Sequence, residues 1–130
     1  MDLILTQDMI TKLEEILRNE LLEHGVDHAF VVDSSGNLIT EGGIFPPEDI
    51  MPLAALLSAN FAATERIAKL IGEKDFTLLF HKGSRFNIHF GRINQDFILV
   101  TLFNNEVSLG LVRLGSIKAI EQMLPVLQTA

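Results

Sequence analysis

The stretch Phe97-Ile98-Leu99-Val100-Thr101-Leu102-Phe103 is the strongest constraint on the fold. Successive strand residues point to opposite faces of a sheet, and this run is apolar on both. Such a strand needs cover on both sides and belongs in the middle of its sheet. Its upstream neighbour reads differently. Phe86, Ile88 and Phe90 alternate with Arg85, Asn87 and His89, which predicts a half-buried strand. The short apolar run Phe76–Phe80 reads as a third strand, with turns at Gly83-Ser84 and Asn94-Gln95. A two-residue turn at Gly83-Ser84 would pair His81 with Phe86 and His89 with Leu78, keeping the two histidines on opposite faces.

Nearer the N-terminus, two β-rich runs within His28–Thr40 flank Asp33-Ser34-Ser35-Gly36-Asn37, a set of turn formers that predicts a hairpin. Residues 41–49 read as a loop. Three helices complete the chain. Met9, Ile10, Leu13, Ile16, Leu17 and Leu21 recur at helical spacing, with Thr6 as cap, Asp8 in the first turn and Gly25 closing. The second helix is expected to start at Asp49, place Pro52 in its first turn and stop at Gly72. The last begins at Asn105 or Ser108 and runs toward Pro125. Gly110 and Gly115 fall inside it, each costing about 1 kcal/mol against alanine. Close contact with the sheet is the expected compensation. The order is α-β-β-α-β-β-β-α, a single α+β domain over residues 1–130.

The second helix is unusually apolar. Ser58, Glu65, Arg66 and Lys69 share one arc of roughly 100°, and most of the remainder is apolar. Packing on a sheet needs a stripe only somewhat wider than about 100°. The surplus edge is assigned to Ala54, Leu57, Phe61 and Ala68. Two arrangements would cover it. The helix is sunk among other elements of its own chain, or a second copy pairs with it, in which case a twofold dimer is the commonest closed form.

Charge and composition exclude several roles. The formal net charge of −7 disfavours nucleic-acid backbones and anionic membranes. No uninterrupted apolar run approaches the ~18 residues of a membrane span. Cysteine is absent, so disulfide and thiolate chemistry are out, which suits a cytoplasmic location. Asp2 and the lack of a basic leader argue against a signal peptide. The four histidines, His24, His28, His81 and His89, are too scattered for a metal site and are expected at surface or helix-end positions. No phosphate-binding glycine motif occurs, and no nucleophile, base and orienting group can be assembled. Neither a cofactor nor a catalytic residue is expected. A small-ligand sensor would need converging polar groups, and the strand interiors offer mainly Phe, Leu, Ile and Val.

The hairpin Val26–Thr40, with its aliphatic strand ending in Asp33 and its glycine turn, resembles that of roadblock/LC7 domains. The runs Leu53–Phe76, Phe80-His81-Lys82-Gly83 and Asn104–Leu114 are similar to bacterial members of that family, and the likeness covers about residues 6 to 124. The resemblance implies a five-stranded antiparallel sheet in order 2-1-5-4-3, with one helix on one face and the two terminal helices on the other. It implies a homodimer formed through the second helix and third strand, here Ala54, Leu57, Phe61, Ala68, Phe76 and Leu78. It also implies a partner, a Ras-like small GTPase of the MglA type, whose GTP hydrolysis the dimer stimulates without an arginine finger, in the setting of cell polarity and motility. The family's docking surface maps onto Ser58, Ala62, Glu65, Arg66 and Lys69. Relatives carry small residues where this chain has Thr64, Glu65 and Arg66. The alternative is a scaffold that binds a GTPase or another protein without changing its rate.

Overall fold

A computed structural model describes residues 4–74 and 78–128, with the side chains of Leu78 and Leu79 outside that description. The elements are α1 (Gln7–Glu20), a 3-10 turn (Leu22–His24), β1 (His28–Asp33), β2 (Leu38–Gly43), α2 (Pro47–Leu70), β3 (Leu78–Lys82), β4 (Phe86–Arg92), β5 (Phe97–Asn104) and α3 (Leu109–Leu127). The sheet order is β2-β1-β5-β4-β3, antiparallel throughout. The doubly apolar strand β5 is central, as its composition requires. Its alternation feeds two cores. Phe97, Leu99 and Phe103 pack with Leu13 and Leu17 of α1 and Ala119 and Met123 of α3. Ile98, Val100 and Leu102 join Ala54, Leu57 and Phe61 of α2 on the other face. The result is three layers, with α2 alone on its side.

Local chemistry sets most boundaries. Thr6 Oγ1 accepts the Met9 N–H at 3.2 Å and caps α1. In the first hairpin, Asp33 Oδ1 accepts the N–H groups of Ser35 and Asn37. β2 continues through Gly43, so part of the expected loop is strand, with His28 opposite Gly43. Gly43 has φ of +139°, and a Cβ there would lie 2.3 Å from Asp27 O. A strand that ends in two glycines carries little strand signal in its sequence.

The β3–β4 register differs from the expected one by two residues. His81 faces Ile88, and His89 faces Phe80. The connection is wider because Asn87 and Asn105 organise it. Asn87 Oδ1 accepts the Gly83 N–H, its Nδ2 donates to Asn105 Oδ1, and Asn105 Nδ2 donates to Ser84 O. A shift of two preserves facing, so the two histidines still do not meet. The polar side of β4 is not solvated: Asn87 and His89 are buried beneath the terminal-helix layer.

Helix α2 starts earlier than expected. Pro46 precedes it, Pro47 occupies its first turn, Asp49 is already helical and Pro52 lies inside. Proline at the first helical position forfeits no hydrogen bond, which explains the start. Gly72, at φ +87°, lets Glu73 N–H return to Ala68 O at 2.8 Å and ends the helix. In α3, Ser108 is the cap, accepting from Leu111 N–H. The close contact of Gly115 is with α1 rather than the sheet: a Cβ there would lie 2.7 Å from Glu20 O.

Candidate protein-interaction surface

The inner face of α2 is built from Ile50, Ala54, Leu57, Phe61 and Ala68, all buried. Phe61 stacks on Phe90 of β4 with centroids 6.1 Å apart. Ala54, Leu57, Phe61 and Ala68, assigned from the sequence to a free edge, therefore pack within their own chain. Ser58 is also inward, 2% exposed, and its Oγ donates to Asp33 O at 2.8 Å. That bond satisfies the hydroxyl, so a polar residue sits on the buried arc at little cost. With Ser58 on the buried face, the helix is rotated about its axis from the setting that its polar residues predict.

A surplus apolar edge does exist, formed by other residues. Leu56, Ala63, Ile67 and Leu70 recur at i, i+7, i+11 and i+14, a single exposed stripe. Leu56 is 68% and Leu70 87% exposed. Ile71 extends it. Between this stripe and the buried face, Asn60 Nδ2 meets His81 Nε2 of β3 at 2.9 Å, so the stripe lies on the β3 side of the helix. Among the described residues β3 is the last strand of the sheet on that side, and no other described strand pairs with its outer edge. Phe76 lies outside the described residues, as does the side chain of Leu78.

The opposite outer flank is polar. Ala62, Arg66 and Lys69 are exposed. Glu65 is half-buried and forms an ion pair with Arg92 of β4, whose guanidinium also covers the Phe61 ring at 5.1 Å. Thr64 turns inward and donates its hydroxyl to Asn60 O at 3.1 Å. Of Thr64, Glu65 and Arg66, only Arg66 therefore projects fully into solvent.

Two histidines depart from the expected surface roles. His28 is buried, with Nε2 2.6 Å from Glu41 Oε1 and Nδ1 accepting the Phe45 N–H at 3.1 Å. These bonds place the proton on Nε2 and tie β1 to the chain entering α2. His89 is buried with neither ring nitrogen hydrogen-bonded among the described residues. Burial, aided by the positive charge of Arg113, lowers its pKa from 6.5 to about 4. Among the described residues no three His, Asp or Glu side chains group to hold a metal. None of the described helices is long and apolar enough to cross a membrane.

Among the described residues, a three-layer domain thus carries an outer sheet edge, an apolar helix stripe beside it and a polar flank next to that, surface of the kind that marks interaction sites. The chain belongs to the roadblock/LC7 domain family, whose model matches residues 12–103. Among solved structures it is similar to Myxococcus xanthus MglB, at 31% identity over 98% of each chain and a TM-score of 0.88. The gliding protein MglB from Thermus thermophilus is similar at 28% identity, covering 99% of this chain and 98% of that one, also with a TM-score of 0.88. A third structure, MglB with a tetrameric arrangement, matches at 28% identity over 97% and 95% of the two chains, with a TM-score of 0.87. No curated protein matches the sequence.

Proposed function

We propose that the chain forms a homodimer through the α2 stripe and the β3 edge, and that the dimer stimulates GTP hydrolysis by a Ras-like small GTPase of the MglA type. The observation that carries this reading is the exposed stripe Leu56, Ala63, Ile67 and Leu70 beside the outer edge of β3, which no other described strand pairs, in a chain so similar to MglB. A twofold pairing there covers the stripe and continues the sheet from β3 of one copy to β3 of the other. The paired α2 helices then present two polar flanks, with Arg66, Lys69 and Ala62 outermost, as the GTPase-docking platform.

Rate enhancement in this reading comes from selecting the GTPase conformation whose own residues are aligned for phosphoryl transfer. A dimer that binds that conformation more tightly by about 2.7 kcal/mol raises its population roughly a hundredfold. No arginine finger is required, and Arg92 is already engaged by Glu65. Single-turnover GTP hydrolysis by the host's MglA-like GTPase, with and without the purified chain, tests the proposal. A faster decay supports it. Binding without a rate change selects the scaffold reading instead.

A further inference from the structure

We propose that the cleft between α1 and α3 is a small-molecule site that takes the zwitterion of a free apolar α-amino acid of about leucine size. The cleft has a volume of about 190 Å3 and is lined by Glu20, His24, Leu111, Leu114, Gly115 and Lys118. The α3 residues stand at i, i+3, i+4 and i+7, so they form one stripe along that helix. Glu20 and His24 face it from the last turn of α1 and the 3-10 turn that follows. α1 and α3 share one core, on the side of the sheet away from α2. The site is therefore independent of the proposed α2 dimer and its docking flank.

Gly115 forms the floor of the cleft. A Cβ there would lie 2.7 Å from Glu20 O and 3.1 Å from Leu21 Cδ2, so the two helices meet backbone to backbone at this point. Leu111 and Leu114, 61% and 49% exposed, stand beside the glycine as an apolar wall open to solvent. A dry cavity of about 150 Å3 holds one benzene, and drug-sized ligands occupy roughly 300 Å3 or more. The volume therefore suits one aliphatic side chain with a few polar atoms.

Charge selects the class of ligand. Glu20 and Lys118 line the same cleft with opposite charges, yet among the described residues neither forms an ion pair, with the other or with any third side chain. Gln122 Nε2 donates to Glu20 Oε2 at 2.7 Å, which orients that carboxylate and leaves its other oxygen for a ligand. The carbonyl end of α1 adds negative potential beside it. An ammonium fits at Glu20 and a carboxylate at Lys118. A free α-amino acid carries both on one carbon, next to the side chain that covers Leu111 and Leu114. A fatty acid supplies only the anion, and an alkylamine only the cation. An internal peptide segment supplies neither from its backbone.

Titration of the isotope-labelled full chain with L-leucine, followed by amide chemical shifts, tests the inference with no GTPase present. So few ligand atoms in an open cleft bind weakly, with a Kd on the order of 1 mM. The expected result is saturable shifts confined to residues 20–25 and 110–119, around the lining residues. Glycine has both charges and no side chain, while N-acetyl-leucine and leucine amide each lack one charge. All three should bind several-fold more weakly than leucine. Lys118→Ala and Glu20→Gln should each raise the Kd for leucine roughly tenfold, the loss of one charged contact, with an otherwise unchanged spectrum as the folding control. No saturable shift up to about 50 mM leucine, far above the expected Kd, overturns the inference. Equal binding of glycine, or leucine binding unaltered by Lys118→Ala or by Glu20→Gln, also overturns it.

Discussion

Glu65 of α2 and Arg92 of β4 form an ion pair at the margin of the helix–sheet interface, and the Arg92 guanidinium lies over Phe61. The pair divides the polar flank of α2 into a residue held by its own chain and residues free to meet a partner. Glu65→Ala is expected to lower stability by about 1 kcal/mol, the upper end for a partly exposed pair. It should weaken GTPase binding less than Arg66→Ala with Lys69→Ala. Urea unfolding and a binding titration on the same variants separate the two effects.

The inner and outer faces of α2 should respond in opposite ways. Phe61→Ala removes a fully buried ring that stacks on Phe90 and should cost about 3–5 kcal/mol. Ile67→Glu, on the exposed stripe, should leave the fold intact and yield monomers. Thermal unfolding with light scattering distinguishes these outcomes. An Ile67→Glu protein that remains dimeric would move the self-contact off this stripe.

His89 makes stability pH-dependent. Its folded pKa, about 4, lies below the unfolded value of 6.5, so the unfolded chain takes up the proton first. Stability from this group is complete above pH 6.5 and is lost as pH falls toward 4, by on the order of 3 kcal/mol. His89→Leu should flatten that part of the profile. Chemical denaturation at pH 7.5 and pH 4.5 for both proteins gives the difference directly.

Gly115 should not tolerate a side chain. A Cβ 2.7 Å from the Glu20 carbonyl forces α1 and α3 apart. Gly115→Ala is expected to destabilise by about 1–3 kcal/mol despite alanine's better helix propensity, measured as a lower urea midpoint.

Much of this architecture was legible in the sequence, because strand burial and helical spacing are local signals. Phe97–Phe103 alone placed β5 in the centre, and Thr6 and Gly72 marked helix ends correctly. The rotational setting of α2 was not legible. Both of its arcs are apolar, and the residue that broke the tie, Ser58, is satisfied by the carbonyl of Asp33, distant in sequence. The buried His28 and His89 were missed for a related reason. One depends on Glu41 and the Phe45 backbone, the other on the helical layer over β4. Of the residues expected to dock a GTPase, Ala62, Arg66 and Lys69 lie outward, Glu65 is paired within the chain and Ser58 is buried.

Single-turnover GTP hydrolysis by the host's MglA-like GTPase, run with wild type and with Ile67→Glu, tests the dimeric activator most directly. A dimer-dependent activator accelerates the decay as wild type and loses that effect when Ile67→Glu leaves it monomeric. Unchanged hydrolysis with wild type, or equal acceleration by a monomeric variant, would contradict it.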